Sequence, residues 1–196
     1  MFRILIYKEL KELIYSYKTY LTAAIVLFFY FGLPIIKNAE LPPYILVMMV
    51  QMVIAQYIYD SMIEDIANGN YRFLLNLNVK FCGYIFPKII ISILEGVILF
   101  GLISNSIIKS FTVFDYGWLL LSLINSSLLM FLVVGAIKYN EMTVTFITTL
   151  FLGLIMICIY SIKFILFKYF LCILLFSIFY ILGNKLYNSK LLRERI

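Results

Sequence analysis

Residues 60–88 read DSMIEDIANGNYRFLLNLNVKFCGYIFPK, the longest polar-containing interval between two strongly apolar segments. Met62, Ile63 and Ile66 recur at helical spacing with Glu64 and Asp65 turned away, which predicts a short amphipathic helix. Asn68-Gly69-Asn70 breaks it, because Gly and Asn tolerate the left-handed backbone of a sharp turn. Tyr71, Leu74 and Leu75 restart an apolar face, and Lys88 closes the interval where the next hydrophobic run begins. A mere connector would be short and polar. This stretch has a surface on which another molecule can dock.

The flanks say what kind of chain carries it. The 196 residues are 64% hydrophobic and 13% charged, with mean hydropathy +1.04. Soluble domains average roughly 45–50% apolar and about 25% charged, so the composition is that of an all-α integral membrane protein. At about 20 residues per spanning helix the length allows six spans in a single transmembrane domain over residues 1–196, with no room for a soluble catalytic domain. The net charge of +6 does not indicate a nucleic-acid partner, because the basic residues sit at the ends of apolar runs and read as topology signals. Cys82, Cys158 and Cys172 form no CxxC, so neither a disulfide framework nor a metal site is expected. The bias toward Ile, Phe, Tyr, Lys and Asn is that of an AT-rich coding sequence, pointing to a low-GC bacterium and its plasma membrane.

Residues 1–18 carry Lys8, Glu9, Lys11 and Glu12 where a signal peptide needs an uninterrupted apolar core. Phe2, Ile6, Leu10, Leu13 and Tyr17 fall on one helical side and Lys8, Glu9, Lys11, Glu12 and Ser16 on the other, predicting an interfacial amphipathic helix. Six spans follow, at about 20–36, 44–59, 89–108, 119–137, 142–161 and 164–186. The connections are a turn at 37–43, the 60–88 stretch, a loop at 109–118 ending on Trp118 at interface depth, and short links at 138–141 and near Lys163. With the N-terminus inside, twelve of the 16 basic residues fall on the cytoplasmic side. Only Lys37, Lys109, Lys163 and Lys168 fall outside. Both termini and residues 60–88 are therefore expected in the cytoplasm.

Little in the chain can do chemistry. It has no His, no phosphate-cradling G-x-x-x-x-G-K-[ST] and no G-x-S-x-G, so an enzyme is not expected and no cofactor or metal should bind this chain. Glu95 is the one clear acid inside a span and a functional candidate by default, or else a structural hub with Gln56 or Asn125, or a protonated and inert group. Gln51 and Gln56 need partners inside a bundle. Thr145, Thr148 and Thr149 share a helical face that serves helix packing or a transport pathway, and Ser92 and Gly96 permit close helix approach. Lys163 and Lys168 are placed to snorkel toward head groups.

In order, an acidic pair, a Gly, a Leu-Leu and a Lys opening an apolar span follow the second of six spans. That layout, with an amphipathic helix at the start, resembles type-2 ATP-binding-cassette (ABC) exporter permeases. The matching residues of the coupling segment are Glu64 or Asp65, Gly69, Leu74, Leu75 and Lys88. Ala67 stands where the family carries an acid two residues before the Gly, and Asn70 where it carries Thr. The resemblance implies a dimer of permease chains, each docking a separate ATPase subunit that holds ATP and Mg. Tyr71, Leu74 and Leu75 would be anchors in an ATPase groove. The few residues between the fifth and sixth spans suit a hydrophobic or amphipathic cargo such as a small peptide, toxin or drug. A different class remains open: an autonomous membrane protein, for example an immunity or scaffold protein, with no ATPase partner.

Overall fold

A computed structural model describes residues 2–37, 43–107, 113–136 and 141–188. These residues form eight helices and no strand. They are α1 (Phe2–Tyr15), α2 (Tyr17–Lys37), α3 (Pro43–Ala67), α4 (Asn70–Asn76), α5 (Phe81–Ile107), α6 (Val113–Ala136), α7 (Glu141–Ser161) and α8 (Ile165–Tyr187). Each of the six expected spans falls largely within one of α2, α3, α5, α6, α7 and α8. Among the described residues, three helices contain stretches long and apolar enough to cross a membrane: Phe81–Leu99, Gly117–Gly135 and Ile165–Tyr187. Shorter apolar helical stretches occur at Tyr17–Phe28 and Leu150–Ser161.

Helix α6 is central, packing most extensively on α8 and then on α3. Leu123, Leu128, Met130 and Phe131 along it are fully or almost fully buried. Gly96 lets α5 approach closely, since a Cβ there would come within 2.9 Å of Leu123 on α6 and 3.0 Å of Ile54 on α3.

Two local devices shape residues 60–88. Helix α3 does not stop before the acidic pair but continues to Ala67, so Met62, Ile63 and Ile66 belong to its last turns rather than to a separate helix. Gly69 then turns the chain at φ 70°, a left-handed conformation that costs a side-chain-bearing residue free energy. Helix α4 ends in a Schellman arrangement. Val79 N–H donates to the Leu74 carbonyl and Asn78 N–H to that of Leu75, both at 3.0 Å, with Asn78 left-handed at φ 54°.

Two expected boundaries shift, and one lysine finds a different setting. Helix α5 begins at Phe81, so Lys88 lies inside it rather than at its start. Helix α6 begins at Val113, which turns part of the 109–118 loop into helix and leaves Trp118 completely buried. Lys168 does not simply snorkel; its Nζ lies over the rings of Trp118 at 5.0 Å and Tyr160 at 5.4 Å. Residues 38–42, 108–112, 137–140 and 189–196 lie outside the described residues, and with them most of the expected turns at 37–43 and 138–141 and most of the basic tail.

Candidate functional site: a buried charge cluster and the helix beside it

Helix α1 turns its charged side to the protein. Of its residues only Leu5 and Glu9 are buried, while Phe2, Ile4, Tyr7, Leu10 and Ile14 are exposed. The expected sorting of polar and apolar sides partly holds, since Ile6 and Leu13 rest against the core. Lys11 is exposed, but Lys8, Glu9 and Glu12 do not face water.

They converge on Lys88, whose side chain is fully buried. Its ammonium lies 2.7 Å from Glu9 Oε1 and 2.8 Å from Asp65 Oδ2, donates to Ser61 Oγ, and stands 5.1 Å above the Tyr84 ring. Lys8 closes the outer side, with Nζ at 2.5 Å from Asp65, 2.6 Å from Glu12 and 3.4 Å from Glu9. Tyr57 O–H donates to Glu9 Oε2 at 2.9 Å. The Ser61 hydroxyl reaches that same oxygen at 2.7 Å and Glu12 at 2.8 Å. Three carboxylates thus meet two ammonium groups, drawn from α1, α3 and α5. An isolated buried charge would be prohibitive, so the cluster exists only as a set.

The acids do not share the burden equally. Burial works against the charge of Glu9, but Lys88 and then Lys8 outweigh it and hold the carboxyl below its usual range. Asp65 is likewise opposed by burial and held low by Lys88 and Lys8. Glu12 goes the other way: burial and the neighbouring Glu9 raise its proton affinity. Lys8 is held protonated, since Glu9 and Asp65 overcome the penalty of burial.

Asp65 was expected to face outward; it is completely buried and paired with Lys88 and Lys8. Glu64 is exposed, so the acidic pair is split between two roles. Tyr71 and Leu74 are not free anchors either. Tyr71 is packed edge-on to Tyr84 and Tyr187, with ring centroids at 5.7 and 5.4 Å, and donates to the Tyr187 carbonyl at 2.8 Å. Leu74 is buried in the same core and Leu75 rests partly buried against it. Tyr187 in turn donates to the Val79 carbonyl at 3.1 Å, pinning the exit of α4 to the end of α8. The outward side of α4 is Arg72, Phe73 and Asn76, continued by Leu77 at its C-cap, with Phe73 62% and Leu77 50% exposed. Sequence reasoning chose the other face, because an apolar triad at helical spacing reads the same whether it faces its own core or a partner.

The polar residues within the expected spans do not form one site. Gln51 donates to Ser122 at 3.2 Å, Gln56 to Asp60 at 3.1 Å, and Asn125 to the Cys172 carbonyl at 3.0 Å. Thr148 donates to the Val144 carbonyl at 2.8 Å; the side chains of Thr145 and Thr149 lie outside the described ones. Glu95 is buried with its Oε2 unbonded. The residue that sequence reasoning missed is Glu9. Its signal was Lys88 itself, a cation in an apolar helix that demands a carboxylate from elsewhere. Comparison with protein-family models, with curated proteins and with solved structures returns no match for this chain.

Proposed function

We propose that the chain is the membrane-spanning permease subunit of an ABC exporter, crossing a bacterial plasma membrane six times with both termini in the cytoplasm. It works as a dimer of permease chains with a separate ATPase subunit, which holds ATP and Mg, and it moves a hydrophobic or amphipathic cargo. The observation that carries this reading is the form of the segment between the second and third expected spans. Helix α4 is short and stiffly held on its inner side by Tyr71 and Leu74, and its outer side offers Phe73 and Leu77. Two exposed apolar residues at i and i+4 on a braced helix are a suitable contact for a protein groove. The helix it hangs from is clamped through Asp65 and Lys88 to α1 and α5, so a push on α4 has a rigid path into the helices.

The test is copurification with an ATPase encoded alongside the chain, followed by ATP hydrolysis in nanodiscs. Phe73→Asp with Leu77→Asp should abolish association while the permease still inserts. Wild-type affinity in that variant would remove the docking role of α4. Topology is checked separately: membrane-impermeant thiol reagents applied outside should label cysteines placed at Asn38 and Asp115 and miss those at Asn78 and Asn188.

A further inference from the structure

The contacts around Ser61 call for one more hydrogen than the serine can supply. A serine hydroxyl has one O–H donor and two lone pairs. Ser61 Oγ accepts from the buried Lys88 ammonium and lies 2.7 Å from Glu9 Oε2 and 2.8 Å from Glu12 Oε2. Its own hydrogen serves one of those two carboxyl oxygens. The other contact is a hydrogen bond only when the carboxyl itself brings the hydrogen, as a protonated acid does.

The neighbours decide which carboxyl that is. Glu9 Oε1 lies 2.7 Å from Lys88, and Glu9 Oε2 takes the Tyr57 hydroxyl hydrogen at 2.9 Å, so both oxygens already act as acceptors. Asp65 meets both ammonium groups, Lys88 at 2.8 Å and Lys8 at 2.5 Å. Glu12 meets one, Lys8, through Oε1 at 2.6 Å, which leaves its Oε2 to Ser61. The charge count agrees. Three carboxylates against two ammonium groups leave one negative charge over, and a proton on Glu12 makes the set neutral. The cleft beside Glu12 adds Lys11 and Lys18, Asp60 and Glu64, two of each sign, so it does not tip that balance. Burial and Glu9 raise the proton affinity of Glu12 against the pull of Lys88 and Lys8. That cleft, about 780 Å³ between α1, the start of α2 and the last turns of α3, gives the proton a way in and out.

We propose that Glu12 holds a proton against Ser61 and that this proton latches the end of α1 to α3. When the acid releases it to water in the cleft, Ser61 is left with one hydrogen between two carboxylates, and Glu12 gains a charge beside Glu9. The last turn of α1, residues 12–15, then loosens. Glu9 keeps its contact with Lys88, so the middle of α1 stays attached. The folded-state value of Glu12 is raised, so the latch closes as pH falls through that value and opens as pH rises through it. The inference rests on the cluster alone and is independent of the exporter reading.

The experiment follows the purified full chain in nanodiscs across pH by two measurements. Infrared difference spectra should show the carbonyl stretch of a protonated carboxylic acid fading as pH rises, and Glu12→Gln should lack that component. Hydrogen exchange read by mass spectrometry, corrected for the intrinsic pH dependence of the rate, should show protection of residues 10–15 falling several-fold over the same interval. In Glu12→Gln protection should stay high throughout, because the amide donates to Ser61 as the acid does. Glu64→Gln, at an exposed acid of the same cleft, should keep the wild-type transition. The two wild-type transitions must coincide, a requirement that holds whether or not a variant folds. An infrared component that persists in Glu12→Gln, protection of α1 that ignores pH, or an unchanged transition in Glu12→Gln would overturn the proposal.

Discussion

Two lysines each join three helices of this bundle, and they do it by different physics. Lys88 ties α5 to α1 and α3 through two carboxylates at 2.7 and 2.8 Å. Lys168 ties α8 to α6 and α7 by lying over Trp118 and Tyr160 at 5.0 and 5.4 Å. Lys88 is sealed from solvent and has no alternative to its partners, whereas Lys168 is only half-buried and keeps access to its surroundings. The first junction is therefore all-or-none, and the second is a modest addition to apolar packing. A buried charge network fixes which helices meet; an aromatic perch tolerates change.

The largest effect should come from removing the sealed cation. Lys88→Met leaves Glu9 and Asp65 buried without their main partner, a loss of about 3–5 kcal/mol for a broken buried pair. Folded, monodisperse protein after detergent extraction should nearly vanish, as read by size exclusion. Adding Glu9→Gln and Asp65→Asn to that variant should recover much of the yield, because the unpaired charges are then gone. If the triple variant is no better than Lys88→Met, the cluster is not held by charge.

Acid probes the same junction next. Glu9 and Asp65 have folded-state carboxyls held below their unfolded values, so the stability they contribute is present above the ordinary carboxylate range, near pH 4. It is lost as pH falls through their lowered values. Glu12 has the opposite sign: its folded-state value is raised, so protonation as pH falls through that value relieves a penalty. Melting temperature in detergent should rise slightly on mild acidification and then drop steeply. Glu12→Gln should remove the rise and keep the drop.

The aromatic junction should yield less. Lys168→Met forfeits a cation–π contact of about 0.5–2 kcal/mol, lowering the melting temperature by a few degrees with full yield. Loss of folded protein in this variant would erase the contrast between the two lysines. The smallest effect on folding belongs to Glu95, whose Oε2 has no hydrogen-bond partner. Glu95→Gln should leave yield and melting temperature unchanged, and under the proposed exporter function a fall in transport would then mark a pathway role; an unstable variant would show that the fold depends on it.

Much of the helical order was legible in the residues. Long apolar runs, the break at Asn68-Gly69-Asn70 and the charged start of the chain place α1 to α8 in sequence, because helix formation and turn chemistry are decided over a few residues. Residues 113–118 escaped because Asp115 and Gly117 read as loop, although they continue α6.

Which face of each helix looks inward was decided only by the tertiary structure. In water, an apolar stripe marks the buried side. In a bundle with apolar surroundings, Phe2, Leu10 and Ile14 can stay outside while Glu9 goes in, so polarity no longer distinguishes inside from outside. Tyr71 and Leu74 were read outward, and Asp65 toward water, for that reason. The partners of Lys88 come from residues 9, 61 and 65, and no short-range pattern links position 9 to position 88. The local chain determines where helices begin and turn; the need to neutralise one buried ammonium decides which of them meet.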